Sequence, residues 1–173
     1  MHIIIAFLTA LATLLYALER LGVDLGWLNP WAWRRRRAWL KRSTGNPVFS
    51  LDKPIDAAAL IVTAAAKIDG DISIQEKEEL KSIFVSSFNL PEKEATQLLG
   101  ASVFLLGSGE DVFNSPDRVL RNTIDKFTDE QKDSVLDILQ KVVAIGGSPS
   151  AMQTEFVSKV QAAMFPNNDK RNW

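Results

Sequence analysis

The sequence predicts an all-α protein, in which a single transmembrane helix precedes a compact bundle of six helices. Three observations predict this fold class. Residues 3–18 form an apolar run, which a Trp-rich and Arg-rich stretch follows. From residue 54 onward, apolar side chains recur with the three-to-four-residue spacing of helices, and no segment alternates as a half-buried strand does. The predicted organisation is an anchor with its juxtamembrane segment (1–42), a linker (43–53), a helical domain (54–165) and a polar tail (166–173).

The apolar run is interpreted as a membrane anchor. Its sixteen residues would span about 24 Å as a helix, and neighbouring residues extend that toward the roughly 30 Å hydrocarbon core. The residues expected at the membrane interface follow it: Trp27, Trp31, Trp33, Arg34, Arg35, Arg36, Arg37 and Trp39. Because the cations follow the span, the positive-inside rule places the later domain in the cytoplasm. We therefore expect a single-pass protein of the bacterial inner (cytoplasmic) membrane that contacts membrane lipid.

Two other interpretations of the amino-terminal segment stay open. A helix could lie in the membrane interface without crossing the bilayer. A cleaved signal peptide would carry positive charge before its apolar run and a small-residue cleavage site after it. Here Met1-His2 precedes the run and Leu18-Glu19-Arg20-Leu21 follows it, which does not fit that pattern.

Charge and composition exclude several functions. Residues 1–42 have a balance of +5, whereas residues 43–173 have thirteen basic and nineteen acidic side chains, a balance of −6. An acidic domain disfavours nucleic acid, whose binding requires neutralised phosphates. The chain has no cysteine, and its only histidine is His2. A Ser-His-Asp triad or a His/Cys zinc site is thus excluded from the helical domain. We expect no enzyme, no catalytic residue, no cofactor site and no identifiable small-molecule substrate.

The first three helices of the domain are predicted from their caps and core-facing positions. The first has Pro54 in its first turn, with core positions Ala57, Leu60, Ile61, Ala64, Ala65 and Ile68. Ser73 and Glu76 have the spacing of a capping box and open a second helix, with core positions Leu80, Ile83, Phe84 and Phe88. Pro91 begins a third, which Gly107-Ser108-Gly109 ends, with core positions Ala95, Leu98, Leu99, Ser102, Val103 and Leu106.

The last three helices follow from similar signals. Ser115-Pro116 opens a fourth helix that carries Leu120, Ile124 and Phe127. Thr128 with Gln131 caps a fifth, whose core positions are Val135, Ile138, Leu139 and Val142. Ser150 with Gln153 caps a sixth, whose core positions are Phe156, Val160, Ala163 and Met164. The turn at 69–73 is echoed at 146–150, an offset of 77 residues, which predicts two similar helix hairpins packed face to face.

Residues 64–76, AAAKIDGDISIQE, are similar to the helix-hairpin signature of the TerB-like family. With the helix order and the weak second copy, the resemblance covers roughly residues 54–165. It implies an all-helical bundle of pseudo-repeated hairpins and a link to membrane-associated stress systems, including tellurite resistance. One relative is a membrane-anchored co-chaperone that adds a J-domain. This chain has no His-Pro-Asp tripeptide, so stimulation of Hsp70 is not carried over. We expect a membrane-held scaffold that recruits an unidentified protein partner.

The resemblance also implies that acidic residues of the two hairpins face one another as a metal site. The candidate ligands in the first hairpin are Asp69, Asp71 and Glu76. Their counterparts in the second are Gly146, Ser148 and Gln153, none of which is a carboxylate. Two interpretations therefore stay open. The motif is either a turn-and-cap device or a weak divalent-cation site, and the second would make the protein a metal-responsive sensor.

Overall fold

The computed structural model describes Ala6, Thr13, residues 46–145 and residues 147–166. The predicted anchor apart from Ala6 and Thr13, its interface residues from Trp27 to Trp39, and residues 167–173 of the predicted tail lie outside the described residues. Within the described part of the chain, no helix has the length and apolar character needed to cross a membrane.

The described ranges are entirely helical in their regular structure, which confirms the all-α prediction. Between residues 46 and 166, the described α-helices are α1 (Pro54–Lys67), α2 (Ile74–Ser87), α3 (Glu92–Leu106), α4 (Glu110–Asn114), α5 (Pro116–Leu120), α6 (Asp129–Val143) and α7 (Ala151–Met164). Two short 3-10 helices, Pro47–Phe49 and Ile124–Lys126, complete the bundle.

Helix α1 is the centre of the bundle. All ten residues from Asp56 to Ala65 are buried, so the helix has no solvent face over that stretch. The prediction of a single core-facing side was too narrow, because α2, α3, α5, α6 and α7 all pack around α1. A helix that is apolar on every side is typical of such a position. Its run of alanines lets the surrounding helices approach closely.

The predicted fourth helix is wrong as a continuous element. Helix α5 ends at Leu120, and the chain turns before the 3-10 helix begins at Ile124. The buried Thr123 explains the break, because both its backbone N–H (2.8 Å) and its hydroxyl Oγ1 (3.1 Å) donate to the Leu120 carbonyl oxygen. Such local bonds from Thr compete with helical continuation. The five-residue α4 also lies in a stretch that was predicted only to separate two helices.

Residues 46–53, which belong to the predicted linker, are packed against the bundle. Val48 and Leu51 belong to its buried core. The guanidinium of Arg118 lies 4.0 Å from the centre of the Phe49 ring, and Asn122 Nδ2 donates to the Phe49 carbonyl oxygen at 3.1 Å. Burial of two aliphatic side chains explains why this segment is ordered against the domain.

The two predicted hairpins are α1–α2 and α6–α7. Helices α2 and α7 both have 14 residues, and both their first residues and their capping serines are 77 positions apart. Their buried faces differ, however. Helix α7 buries Phe156 and Val160, which correspond to positions 79 and 83, whereas α2 buries Leu80 and Phe84. One residue is about 100° around a helix, so the repeat holds for the caps and not for the core faces.

Candidate functional site at the hairpin junction

The turns of the two hairpins meet at one place. We call it the hairpin junction and define it as residues 69–76 together with residues 148–153. The Ser150 hydroxyl donates to Asp69 Oδ1 at 2.7 Å. The Gln153 side-chain amide Nε2 donates to the Ala65 carbonyl oxygen at 3.4 Å. These two bonds join the start of α7 directly to the end of α1.

The first turn is a tight bend followed by a complete helix cap. Gly70 has φ +146°, a conformation that side chains with a Cβ rarely adopt. The Ser73 hydroxyl accepts from the Glu76 N–H at 3.2 Å, and the Ser73 N–H donates to Glu76 Oε2 at 2.7 Å. Hydrogen bonds from the Ser73 side chain and then its backbone lower the pKa of Glu76 below its ordinary value of 4.5. The predicted turn and capping box are both present.

The second turn has the same kind of cap with an uncharged partner. The Gln153 N–H donates to the Ser150 hydroxyl at 3.1 Å, and the Ser150 N–H donates to Gln153 Oε1 at 3.0 Å. Because an amide carries both an acceptor and a donor, Gln153 can cap α7 through its oxygen while its nitrogen reaches α1. Ser150 likewise serves the cap and the contact with Asp69.

The structure does not assemble the predicted site of three carboxylates. Asp69 accepts from Ser150, and Glu76 accepts from Ser73. Asp71 has a side chain that is 98% exposed and lies 3.5 Å from Lys67 Nζ, which also donates to the Gly107 carbonyl oxygen. Within residues 46–145 and 147–166, no group of three or more His, Cys, Asp or Glu side chains could hold a metal ion. The three carboxylates thus contact separate partners, Ser150, Lys67 and Ser73.

A cleft of about 230 Å³ lies inside the junction. It is lined by Ala66, Asp69, Glu76, Val142, Val143, Ile145, Ser148 and Gln153. Two carboxylates from the first hairpin therefore face two neutral side chains from the second. A hard cation such as Ca²⁺ takes six to eight oxygens and usually several carboxylates. This donor set does not fit the metal site that the family resemblance implies.

A second cleft, of about 220 Å³, lies between the start of α1, the end of α2 and α6. Its lining includes Ile55, Phe88, Phe127 and Val135 and contains no ionisable side chain. It therefore supplies no acid or base.

Large apolar side chains are exposed at both ends of the junction. Ile74, in the first turn of α2, is 60% exposed, and Met152, in the first turn of α7, is 55% exposed. Among the described residues, Phe104 on α3 is the other large hydrophobic side chain exposed in this way, at 51%. Two of these three side chains thus belong to the residues that define the hairpin junction.

The contacts that join the hairpins were missed from the sequence. Ser150 and Gln153 were recognised only as the cap of the last helix, and Lys67 was not singled out. The available signal was the 77-residue repeat. If two capped turns pack face to face, each cap lies within reach of the other hairpin, and Ser and Gln carry spare donors for such a contact.

The architecture defines the class of the protein: a helical bundle in which α1 with α2, and α6 with α7, form two hairpins with similar caps. The model of the family described as "Tellurite resistance protein TerB" matches residues 55–168, which is well over half of the chain. The chain belongs to the TerB family, and the match coincides with the bundle from α1 through α7. Neither a curated protein nor a solved structure matches the chain significantly.

Proposed function

We propose that this chain is a non-enzymatic interaction module, in which the TerB-family bundle presents the hairpin junction to a protein partner. The observation that carries the proposal is the exposure of two large apolar side chains, Ile74 and Met152, one in each of the two capped turns that form the hairpin junction. Solvent-exposed apolar groups that are clustered and rimmed by polar residues are typical of protein interaction sites. Burial of apolar surface is the dominant favourable contribution to most protein–protein association.

Charge indicates the chemistry of the partner. Residues 46–166 contain eleven basic and eighteen acidic side chains, a net charge of −7. Asp69 and Asp71 are exposed in the junction itself. A partner segment with Lys or Arg next to apolar side chains would complement this surface, and opposite charge would raise its rate of association. The mechanism is surface burial without bond chemistry.

We further propose that residues 1–42 hold the bundle at the cytoplasmic face of a membrane. The support is the order of the sequence: an apolar run, interface aromatics from Trp27 to Trp39, and the cluster Arg34–Arg37. Carbonate extraction of membranes from cells that express the full chain tests this. An anchored protein stays in the membrane pellet, and recovery in the supernatant would contradict the anchor.

The stress-linked role is proposed from the family alone. The description of the family names tellurite resistance, so we propose that the module acts in that process or in a co-chaperone-like stress response. Deletion of the gene should lower growth in tellurite relative to a strain complemented with the full chain. Equal growth of the two strains would remove tellurite resistance from the proposal.

The experiment for the partner uses exposed positions that the fold does not require. The full chain is captured from detergent-solubilised membranes as wild type and as the Ile74→Ser/Met152→Ser double variant. The control is Phe104→Ser, which removes an equally exposed apolar side chain on α3. We expect a stoichiometric partner with wild type and the control, and its loss with the double variant. Equal capture by all three proteins would contradict the junction as the binding surface.

The alternative of a metal-responsive sensor required Asp69, Asp71 and Glu76 to bridge one cation. Since the described residues form no such cluster, no observation favours this alternative.

A further inference from the structure

The cleft at the hairpin junction lies where the family resemblance implies a metal site between two hairpins, but only the first hairpin supplies carboxylates to it. Across the cleft from Asp69 and Glu76, the second hairpin supplies Ser148 and Gln153. A hard cation that joined the hairpins would take oxygen ligands from both sides, usually with several carboxylates among them. In this chain the two sides are already joined by direct hydrogen bonds.

Both carboxylates that line the cleft accept hydrogen bonds. Asp69 Oδ1 accepts from Ser150, and Glu76 Oε2 accepts from the Ser73 N–H, each at 2.7 Å. An ion that bound Asp69 Oδ1 or Glu76 Oε2 would compete with these bonds. Bonds to ionised acceptors are among the stronger hydrogen bonds of proteins.

The side chain of Gln153 distinguishes hairpins that are joined by a metal ion from hairpins that are joined by a direct hydrogen bond. Its Oε1 caps α7, and its Nε2 donates to Ala65 on α1. A glutamate could make the first bond and could ligate a cation, but an ionised carboxylate has no donor for the second. The Gln153 amide thus makes a direct contact between the two hairpins at a position where a glutamate could ligate a cation.

We propose that the hairpin junction is a cation-independent latch, in which the Asp69–Ser150 and Gln153–Ala65 hydrogen bonds hold the two hairpins together in place of a bridging metal ion. The packing of α7 on α1 then does not follow the concentration of divalent cations. This inference goes beyond the proposed function, since it concerns how the bundle is held together and stands whether or not a partner binds.

The first test is thermal unfolding of the full chain in mild detergent, followed by far-UV circular dichroism. The midpoint is measured with EDTA and with about 1 mM Ca²⁺, Mg²⁺, Mn²⁺ or Zn²⁺. We expect the wild-type midpoint to agree within about 1 °C in all conditions. A cation-dependent rise that Asp69→Asn abolishes would overturn the latch, since it would make the junction a metal site.

A variant that has carboxylates on both hairpins is the positive control for this assay. Ser148→Asp/Gln153→Glu gives the second hairpin two carboxylates at the positions that face Asp69 and Glu76. We expect its midpoint to fall by several degrees in EDTA, because like charges meet in one cleft and the bond to Ala65 is lost. We expect Ca²⁺ or Mn²⁺ to restore much of that loss.

The second test measures the latch itself by a double-mutant cycle. Asp69→Ala, Ser150→Ala and the double variant are unfolded with urea, in EDTA and again with Ca²⁺. The loss of the α7 cap on replacing Ser150 is common to both backgrounds and cancels. We expect a coupling of about threefold to tenfold in the unfolding equilibrium constant, equal in both buffers. A coupling of zero, or one that appears only with Ca²⁺, would overturn the proposal.

Discussion

Replacing Gln153 by glutamate tests the junction because it exchanges one side-chain nitrogen for an oxygen. The variant keeps the oxygen that caps α7 and loses the nitrogen that donates to Ala65. It also adds a negative charge to a cleft that already contains Asp69 and Glu76. No side-chain volume changes appreciably, so the effect should report hydrogen bonding and charge.

The expected magnitude follows from three contributions. The 3.4 Å bond to Ala65 is long, and its loss should cost about 0.5–1 kcal/mol. Repulsion from the two carboxylates in a half-exposed cleft should cost about 1 kcal/mol. A negative charge in the first turn of α7 should return about 0.3–1 kcal/mol through the helix dipole. We expect the free energy of unfolding to fall by about 1 kcal/mol at neutral pH.

Gln131→Glu is the matched control. Gln131 occupies the same position of the capping box of α6, where its Oε1 accepts from the Thr128 N–H at 3.0 Å. It is exposed and lies outside the junction. The same change of charge and shape there should alter the free energy of unfolding by less than about 0.5 kcal/mol.

The assay is urea unfolding of wild type and both variants, followed by far-UV circular dichroism at neutral pH. The account requires Gln153→Glu to be less stable than Gln131→Glu by about 1 kcal/mol. Equal stabilities, or a larger loss in Gln131→Glu, would refute the argument that Gln153 joins the hairpins through its donor.

Three further predictions concern the bundle. Ser102 Oγ is buried and has no hydrogen-bond partner among the described residues, so Ser102→Ala should raise the free energy of unfolding by up to about 1 kcal/mol; a loss of stability in urea would contradict this. Gly100→Ala adds a Cβ into open space and should stabilise the bundle by about 0.5–1 kcal/mol. Gly109→Ala places a Cβ at φ +82° and against an aromatic ring, so it should destabilise the bundle by more than about 1 kcal/mol. Thermal midpoints of the two variants that rank the other way would refute both predictions. The pKa of Glu76 is lowered by its bonds to Ser73, so the stabilisation from its carboxylate is full above the ordinary pKa of 4.5 and is lost as pH falls through the lowered folded pKa. The stability advantage over Glu76→Gln should therefore shrink as the pH falls below 4.5, and an advantage independent of pH would contradict the carboxylate cap.

The local features of the bundle were predictable because short-range chemistry determines them. Each of the three capping boxes, beginning at Ser73, Thr128 and Ser150, is present where the sequence pattern placed it. Hydrophobic spacing located the long helices for the same reason. The family resemblance was confirmed by the match over residues 55–168.

The features that depend on tertiary packing were not predictable. Periodicity marks one apolar face, so it did not reveal that α1 is enclosed on all sides, with Thr63 among its buried residues. The break of the fourth helix depends on a buried Thr123 bonding back to Leu120. The packing of Val48 and Leu51 depends on a surface that the rest of the chain provides.

At the candidate site, too, the local features were predictable and the contacts that depend on tertiary packing were not. The spacing of Asp69, Asp71 and Glu76 gave their places along the turn but not the directions of their side chains. Their partners are Ser150, 81 positions away, and the nearby Lys67 and Ser73. Of these three contacts, only the one between Asp69 and Ser150 joins the two hairpins.

Site-specific photo-crosslinking in cells tests whether the hairpin junction is the surface on which a protein partner binds. A photoreactive phenylalanine analogue is placed in the full chain at Ile74, at Met152 or, as a control, at Phe104, all of them exposed. The account predicts that positions 74 and 152 crosslink to the same protein and that position 104 does not. The account is contradicted if neither junction position crosslinks, or if position 104 gives the same product.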